Sequence, residues 1–538
     1  MAMLRWQWRI GVHLAIGLAI LFASLVTTGA ARAEVTAFKQ AVAEAAARDD
    51  ALAGFYRGND YRPIWTGASA RDTERRKALF AAIDAAELHG LPRGRYDPQG
   101  LMTQLANVRS PRDRGLVEVE MSRRFLRLAR DLETGMLVPA RIDEGIKREV
   151  PLRERAAYLS GIMQANPAEF FRDLPPSSHE YARLMKEKLR LESIAARGGW
   201  GRTVAVKSLE PGQSGAEVVD LRDRLTAMGY LRRSMSQSYD AEMQQAVQRF
   251  QNDHGLTPDG VAGPGTITEI NRGVEDRLKS ILVAMERERW VNIDHRNRHI
   301  LVNITDFTAR IFDNGSVTFE TRAVIGSSKS GKQTPEFSDE MTYLEINPDW
   351  TVPRGILRRD YLPRLKNNPN ALRHLQVVDS RGRVVPRGQV NFARYTAGNF
   401  PFNLRQPPSR NNALGTVKFM FPNPYAIYLH DTPEKHLFAR ETRAYSSGCI
   451  RLNDPYDFAY ELLSRQEADP EPFFQKILKS GRQTRVSLET PVPVHLIYRT
   501  AFTKAKGNTQ YRRDIYGRDA AIWSALAKAG VTLRPVQG

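Results

Sequence analysis

With one cysteine in 538 residues, Cys449, the chain has no intrachain disulfide available to it. The lone thiol is either a small buried hydrophobe or a reactive group. Metal ligands are equally sparse: the 10 histidines show no clustered ligand spacing, so no metal is expected. Past Val26 no segment approaches the run of about 18 apolar residues that crosses a bilayer, so no stable membrane span is expected beyond the N-terminus. The 79 Lys and Arg outnumber the 60 Asp and Glu for a formal charge of +19, yet they form no run like a nucleic-acid arm. No nucleic-acid partner is expected. The spread charge reads as a solvated surface suited to an anionic cell envelope.

What the chain does have is enough apolar material, 42% of its residues, for two to four domains with real cores. Its N-terminus carries Arg5 and Arg9, then an apolar stretch from Ile10 to Val26, then Ala31-Arg32-Ala33 with small residues where a signal peptidase reads. Residues 1–33 are therefore expected to be a signal peptide, cleaved before Glu34. The competing reading is a retained anchor, but Gly11, His13 and Gly17 interrupt a stretch that is short for a span. Export sharpens the question of Cys449, because an unpaired thiol in an oxidising compartment is a liability unless its reactivity is used.

Residues 34–205 read as mostly helical. Leu79, Phe80, Ile83 and Leu88 recur at helical spacing up to His89-Gly90-Leu91-Pro92. Val119, Met121, Phe125, Leu128 and Leu132 mark a longer helix over 117–137, and a third is expected from Tyr181 to Ile194. Residues 211–272 form a compact unit with Val218, Leu221 and Leu225 on one helix, Ala246, Val247 and Phe250 on a second, and a short third helix after Gly263-Pro264. Such a unit could be a helix-turn-helix DNA reader or an inert spacer, and export removes the first. A β-rich region spans 298–500, opening on alternation at Ile300, Val302 and Ile304 and a hairpin turn at Asp313-Asn314-Gly315-Ser316. Inside it, residues 354–405 are a polar, Arg- and Asn-rich insertion with little periodicity, read as a lid. Asn453-Asp454-Pro455 predicts a capped helix start with Phe458, Ala459, Leu462 and Leu463 buried. Residues 501–538 are expected to pack on the helical or the β-rich part.

Cys449 sits in Tyr445-Ser446-Ser447-Gly448-Cys449-Ile450-Arg451-Leu452. His430 ends the apolar run Ala426-Ile427-Tyr428-Leu429 upstream. A strand ending in His beside a turn bearing Cys suits a nucleophile and its base, since a thiol of ordinary pKa, about 8.5, is mostly protonated at neutral pH. The bland alternative is a buried thiol and a satisfied core histidine.

His430 followed by Ser446-Ser447-Gly448-Cys449-Ile450-Arg451 resembles the active-site signature of the L,D-transpeptidase (YkuD) family, with Ser447 at a position where other members often carry His or Asn. Tyr56 to Trp65, Ala86 to Leu91 and Asp514 to Asp519 resemble the large periplasmic members of Gram-negative bacteria. The 211–272 unit resembles the type 1 peptidoglycan-binding domain. The resemblance implies an α+β multidomain protein with a helical scaffold, a three-helix wall-binding module, and a β-rich catalytic domain carrying an inserted lid. It implies a periplasmic enzyme that needs no cofactor and works on peptidoglycan stem peptides and glycan, beside other cell-wall synthesis enzymes. In that reading Cys449 is the nucleophile and His430 the base, and backbone N–H groups around Gly448 and Cys449 hold the oxyanion. Ser446, Ser447 and Tyr428 line the cleft. Arg451 either steers a substrate carboxylate or pairs with a structural acid, and Asp431 is adjacent to His430, although the resemblance implies that a backbone carbonyl rather than a carboxylate orients the imidazole. The implied reaction cuts a tetrapeptide stem, releases D-alanine and forms a 3→3 crosslink. Hydrolysis by the same site (an L,D-carboxypeptidase or endopeptidase) and a non-catalytic wall-binding scaffold remain open alternatives.

Overall fold

A computed structural model describes residues 36–291 and 297–533; the expected signal peptide lies outside the described residues. The N-terminal part is a helical assembly. Its long helix Pro111–Thr134 starts on a reciprocal Ser110–Asp113 capping box and buries Val119, Met121, Phe125, Leu128 and Leu132. The fully buried Glu118 on that helix is held by the N–H groups of Ile64 (2.7 Å) and Thr66 (2.8 Å) and the Tyr56 hydroxyl (2.9 Å), which pins the Tyr56–Trp65 segment to the core. His89 ends a 3-10 turn, Ala85–His89, before the left-handed Gly90.

Helices Ala216–Ala227, Ala241–Asp253 and Pro264–Ile270 form the compact three-helix unit, packed around Leu221, Leu225, Val247 and Phe250. The helix after it, Val274–Trp290, was not anticipated. Every residue from Ile281 to Trp290 is buried, the charged Glu286, Arg287, Glu288 and Arg289 included. Arg289 pairs with Glu286 (2.8 Å), Arg287 with Glu336 (2.7 Å) and Asp519 (2.8 Å), and Glu288 with Arg499. The helix thereby joins the helical core to the β-rich part and to the C-terminal segment. Removing one member of such a buried pair strands its partner, at a cost of about 3–5 kcal/mol.

The β-rich part is built on β1 (His299–Asn303), β2 (Thr308–Asp313), β3 (Ser316–Gly326) and β4 (Phe337–Ile346). The β2–β3 turn puts Asn314 and Gly315 at positive φ (50° and 77°), as a tight hairpin requires. Next comes the insertion, with β5 (Trp350–Thr351), β6 (Gln376–Val378) and β7 (Asn403–Gln406) forming a separate sheet in the order β5-β7-β6. The main sheet resumes with β8 (Val417–Met420), β9 (Leu429–His430), β10 (Ala444–Ser446), β11 (Ile450–Leu452) and β12 (Thr484–Ile497). Its order is β10-β3-β11-β9-β8-β4-β12-β1-β2, and a further β2–β3 pairing closes the ladder on itself, leaving little free edge. Helices Pro455–Leu463 and Pro470–Lys479 cover one face, and Phe419 meets Phe458 edge to face at 4.9 Å. Asp454 does not cap the first of these: its carboxylate accepts from Thr321 Oγ1 (2.8 Å) instead.

One feature departs from the sequence reading, and another is drawn more finely by the structure. The insertion is no irregular loop: Trp350, Leu362, Val377, Phe392 and Leu404 give it a core of its own. The C-terminal segment packs Ile522 and Leu526 into the helical core, while Tyr516 packs against the β-rich core.

Candidate active site

Strands β9 and β11 run parallel, with Ile450 opposite Leu429 and Arg451 opposite His430. Cys449, one residue before β11, therefore stands beside Tyr428, one residue before β9; the Ile450 N–H donates to the Tyr428 carbonyl (3.1 Å). On the other side, β10 pairs with the end of β3 through Ser446 and Gly326. The turn between β10 and β11 is thus held at both feet.

Inside the turn, Ser446 Oγ accepts from the Gly448 N–H (3.1 Å) and donates to the Cys449 carbonyl (2.6 Å). Gly448 has φ +127°, and a Cβ there would meet Ile427 Cδ1 at 3.1 Å, so glycine is required for conformation and for space. Ser447 is exposed. The half-buried Cys449 thiol lies 3.6 Å from the Ala426 carbonyl and within hydrogen-bonding reach of the Tyr428 phenol. Ala426 is itself left-handed, at φ 54°. Asn423 staples that loop, donating to the carbonyls of Phe421 (2.6 Å) and Ile427 (2.8 Å) and accepting from the Tyr425 N–H (3.1 Å).

His430 is buried, and its Nδ1–H donates to the Asp431 carbonyl (2.5 Å). That bond leaves the lone pair on Nε2. The Asp431 carboxylate does other work, accepting from the Thr416 N–H (2.9 Å) and Lys435 Nζ (2.9 Å). Burial, then the Arg451 charge, holds the imidazole down to a pKa of about 3, with the Asp431 and Leu414 carbonyls opposing. Burial pushes the thiol up to about 11, opposed by Tyr428, Arg451 and Lys418. Both groups are therefore neutral at neutral pH. Arg451 itself pairs with Glu434.

Cys449, His430, Tyr428, Ser446, Ser447 and Arg451 all line one cavity of about 790 Å³. The insertion supplies its other wall, including Ile356, Arg359, Tyr361 and His374. Lys332 Nζ pairs with Asp360 (3.3 Å) across the two walls. Among the described residues no group of His, Cys, Asp and Glu is placed to hold a metal.

The sequence reading missed the support behind the turn. Thr334 Oγ1 donates to the Gly448 carbonyl (2.7 Å) and accepts from the Gly326 N–H (2.9 Å). Tyr516 OH accepts from the Thr334 N–H (3.2 Å) and donates to the Gly326 carbonyl (2.5 Å). Arg518, wholly buried, donates to the Thr334 carbonyl (3.1 Å) and pairs with Glu336 (3.2 Å) and Asp143 (3.4 Å). Tyr516 and Arg518 lay inside the Asp514–Asp519 segment already singled out; nothing local tied it to Cys449.

The chain also matches known families. Residues 297–494 match the L,D-transpeptidase catalytic domain (YkuD), residues 50–187 the Scaffold domain, and residues 214–270 the "Putative peptidoglycan binding domain". A Haemophilus influenzae (strain ATCC 51907 / DSM 11121 / KW20 / Rd) protein named "Putative L,D-transpeptidase" is 31% identical over 242 residues, 45% of this chain and 48% of that one. The chain thus spans about half the length of that relative. Among solved structures, the L,D-transpeptidase (residues 123-326) of Xylanimonas cellulosilytica DSM 15894 is 14% identical, with a TM-score of 0.17 over 55% of this chain and 100% of that one. The L,D-transpeptidase (Yku) of Stackebrandtia nassauensis is 14% identical, with a TM-score of 0.20 over 54% and 96%. The assignment rests on the three domain matches. Residues 297–494 thus carry an L,D-transpeptidase catalytic domain (YkuD), alongside a scaffold domain and a peptidoglycan-binding domain.

Proposed function

We propose that the protein forms 3→3 peptidoglycan crosslinks by acyl transfer through a Cys449 thioester, in the periplasm. The observation that carries this is the pinned Ser446–Cys449 turn sharing one cleft with His430. His430 takes the thiol proton as Sγ attacks the carbonyl of the third stem residue. The Asp431 and Leu414 carbonyls favour the imidazolium so formed. Because the Gly448 N–H is committed to Ser446, the developing oxyanion falls to the Cys449 N–H and the Tyr428 phenol, and each preorganised donor contributes a few kcal/mol. The C–N bond to D-alanine then breaks, and the imidazolium returns its proton to the leaving amine. The side-chain amine of a diamino acid on a second stem next attacks the thioester, giving its proton to His430, and the C–S bond breaks to restore the thiol.

Mass spectrometry of muropeptides incubated with the purified protein tests this. Free D-alanine together with 3→3 dimers is expected. Tripeptides without dimers would make the enzyme a hydrolase, and unchanged substrate would leave only wall binding.

A further inference from the structure

A second cavity, of about 360 Å³, lies where the three-helix unit, the β1–β2 turn, the segment leading into β10 and the C-terminal segment meet. Its carboxylates are already matched. Asp306 pairs with Arg310 (3.0 Å) and Arg512 (2.6 Å), Glu320 with Arg310 (2.6 Å), and Glu441 with Arg513 (3.1 Å). Four more cations line the same space: Arg322, Arg440, Arg443 and Lys504. Among the described residues none of these four has a carboxylate within ion-pairing distance. Arg443 donates only to main-chain carbonyls, those of Ala323 (3.2 Å), Arg440 (3.1 Å), Asp306 (3.5 Å) and Phe307 (3.1 Å), and Arg322 to that of Phe438 (3.2 Å).

Like charges gathered around one concavity repel, and the repulsion is relieved when a multivalent anion enters. Burial and the neighbouring Arg322 and Arg512 hold Arg443 down to a pKa of about 10, against Asp306, so crowding is felt there although the group stays charged at neutral pH. Between the cations, Phe307 and Phe502 supply apolar wall. Charge mixed with apolar wall suits a carboxylate-bearing peptide better than a bare inorganic anion.

We infer that this cavity is a second binding site, taking an acidic peptide with two or more carboxylates such as a peptidoglycan stem. The stem's identity rests on the reaction proposed above; the demand for an organic polyanion does not. The occupant would lie against Arg443, whose carbonyl accepts from the Ile325 N–H (2.9 Å) at the root of the strand leading to Cys449. The wall polymer would thus be held at a fixed distance from the reacting stem.

The test uses the full chain with Cys449 alkylated by N-ethylmaleimide, so that no thioester can form. The probe is a fluorescent stem-type tripeptide with free carboxylates, compared with its fully amidated counterpart and with inorganic phosphate as competitor. At about 0.15 M ionic strength, where exposed charges are screened beyond about 8 Å, saturable binding of the acidic peptide is expected. Arg322→Gln and Lys504→Gln, both at exposed positions, should each weaken it about tenfold, and Arg48→Gln, far from the cavity in the helical part, should not. Absence of saturable binding, equal affinity in all variants, or equal binding of the amidated peptide would overturn the site. Displacement by phosphate at or below the peptide's own concentration would overturn the peptide as its ligand. Failure of the transpeptidase reading would appear elsewhere, as no thioester on Cys449 in unalkylated protein while this binding persists.

Discussion

Two walls meet at the cleft, and they are built differently. The wall carrying Cys449 belongs to the closed main sheet: the turn is tied to β3 on one side and β9 on the other, and Ser446, Thr334 and Tyr516 take up its polar atoms. The facing wall, from Trp350 to Gln406, has a separate three-stranded sheet and a separate core, with the Lys332–Asp360 pair reaching across. The first is suited to fixing a reacting atom, which requires supporting groups locked by packing and hydrogen bonds. The second is suited to covering that atom as a unit. If this contrast is sound, substitutions in the first wall should strike the chemistry, and those in the second should change what the thioester reacts with.

The largest effects belong to the reacting pair. Cys449→Ala should abolish thioester formation, read as the loss of the covalent adduct by intact-protein mass spectrometry. His430→Ala should slow acylation by about 10²–10⁴, with the two substitutions far from additive because the groups act as a unit. The pH dependence follows from the resting charges. An imidazole held down to about 3 remains a competent base through mildly acidic solution, and a thiol pushed up to about 11 releases its proton only in alkali. Single-turnover acylation should therefore show no acid limb at the ordinary imidazole value of about 6.5, losing its base only towards pH 3, and direct thiolate reactivity should climb towards pH 11. An inflection near neutrality would contradict the buried, Arg451-facing imidazole described above.

A smaller effect is expected from behind the turn. Tyr516→Phe removes a hydroxyl that bonds the Gly326 carbonyl and the Thr334 N–H but leaves the ring packed against the β-rich core. Thr334 then loses part of what aims it at the Gly448 carbonyl. The loss of one or two buried hydrogen bonds, about 1–2 kcal/mol, should lower kcat about tenfold while KM stays within about twofold, as expected for an interaction made in the transition state. A drop in melting temperature with kcat unchanged would reduce Tyr516 to a packing residue.

The two walls also differ in how far the sequence revealed them. Cys449, Gly448, Ser446 and His430 lie within one short stretch, where their resemblance to the YkuD signature brought them together. Thr334 bonds that turn and Tyr516 bonds Thr334, but they stand 114 and 68 positions away from Gly448 along the chain, and no local pattern links them. Helix Val274–Trp290 was hidden for another reason: Glu286 to Arg289 look like a solvated face, and only tertiary ion pairing makes their burial tolerable. In the insertion, Leu362, Val377, Phe392 and Leu404 are spread thinly among Arg and Asn, so a core drawn from distant positions read as aperiodic loop.

The smallest change on the rate of acylation, and the most telling about the second wall, is expected at Tyr361. Its ring lines the cleft and meets Trp350 edge to face at 6.2 Å, joining the insertion's core to the space above Cys449. Replacing the whole insertion would expose Leu414 and the packed face of Tyr428, and so would confuse folding with chemistry. Tyr361→Ala instead opens a gap in the cover while leaving the main sheet untouched. Water at about 55 M competes with a scarce amine, so transfer depends on excluding solvent and positioning the acceptor. Acylation of Cys449 should change by less than about threefold, whereas the ratio of crosslinked dimer to hydrolysed tripeptide should fall several-fold. An unchanged ratio would show that the insertion does not shield the thioester. An equal fall in both products would place Tyr361 in donor binding, and the contrast between a wall that fixes and a wall that covers would have to be given up.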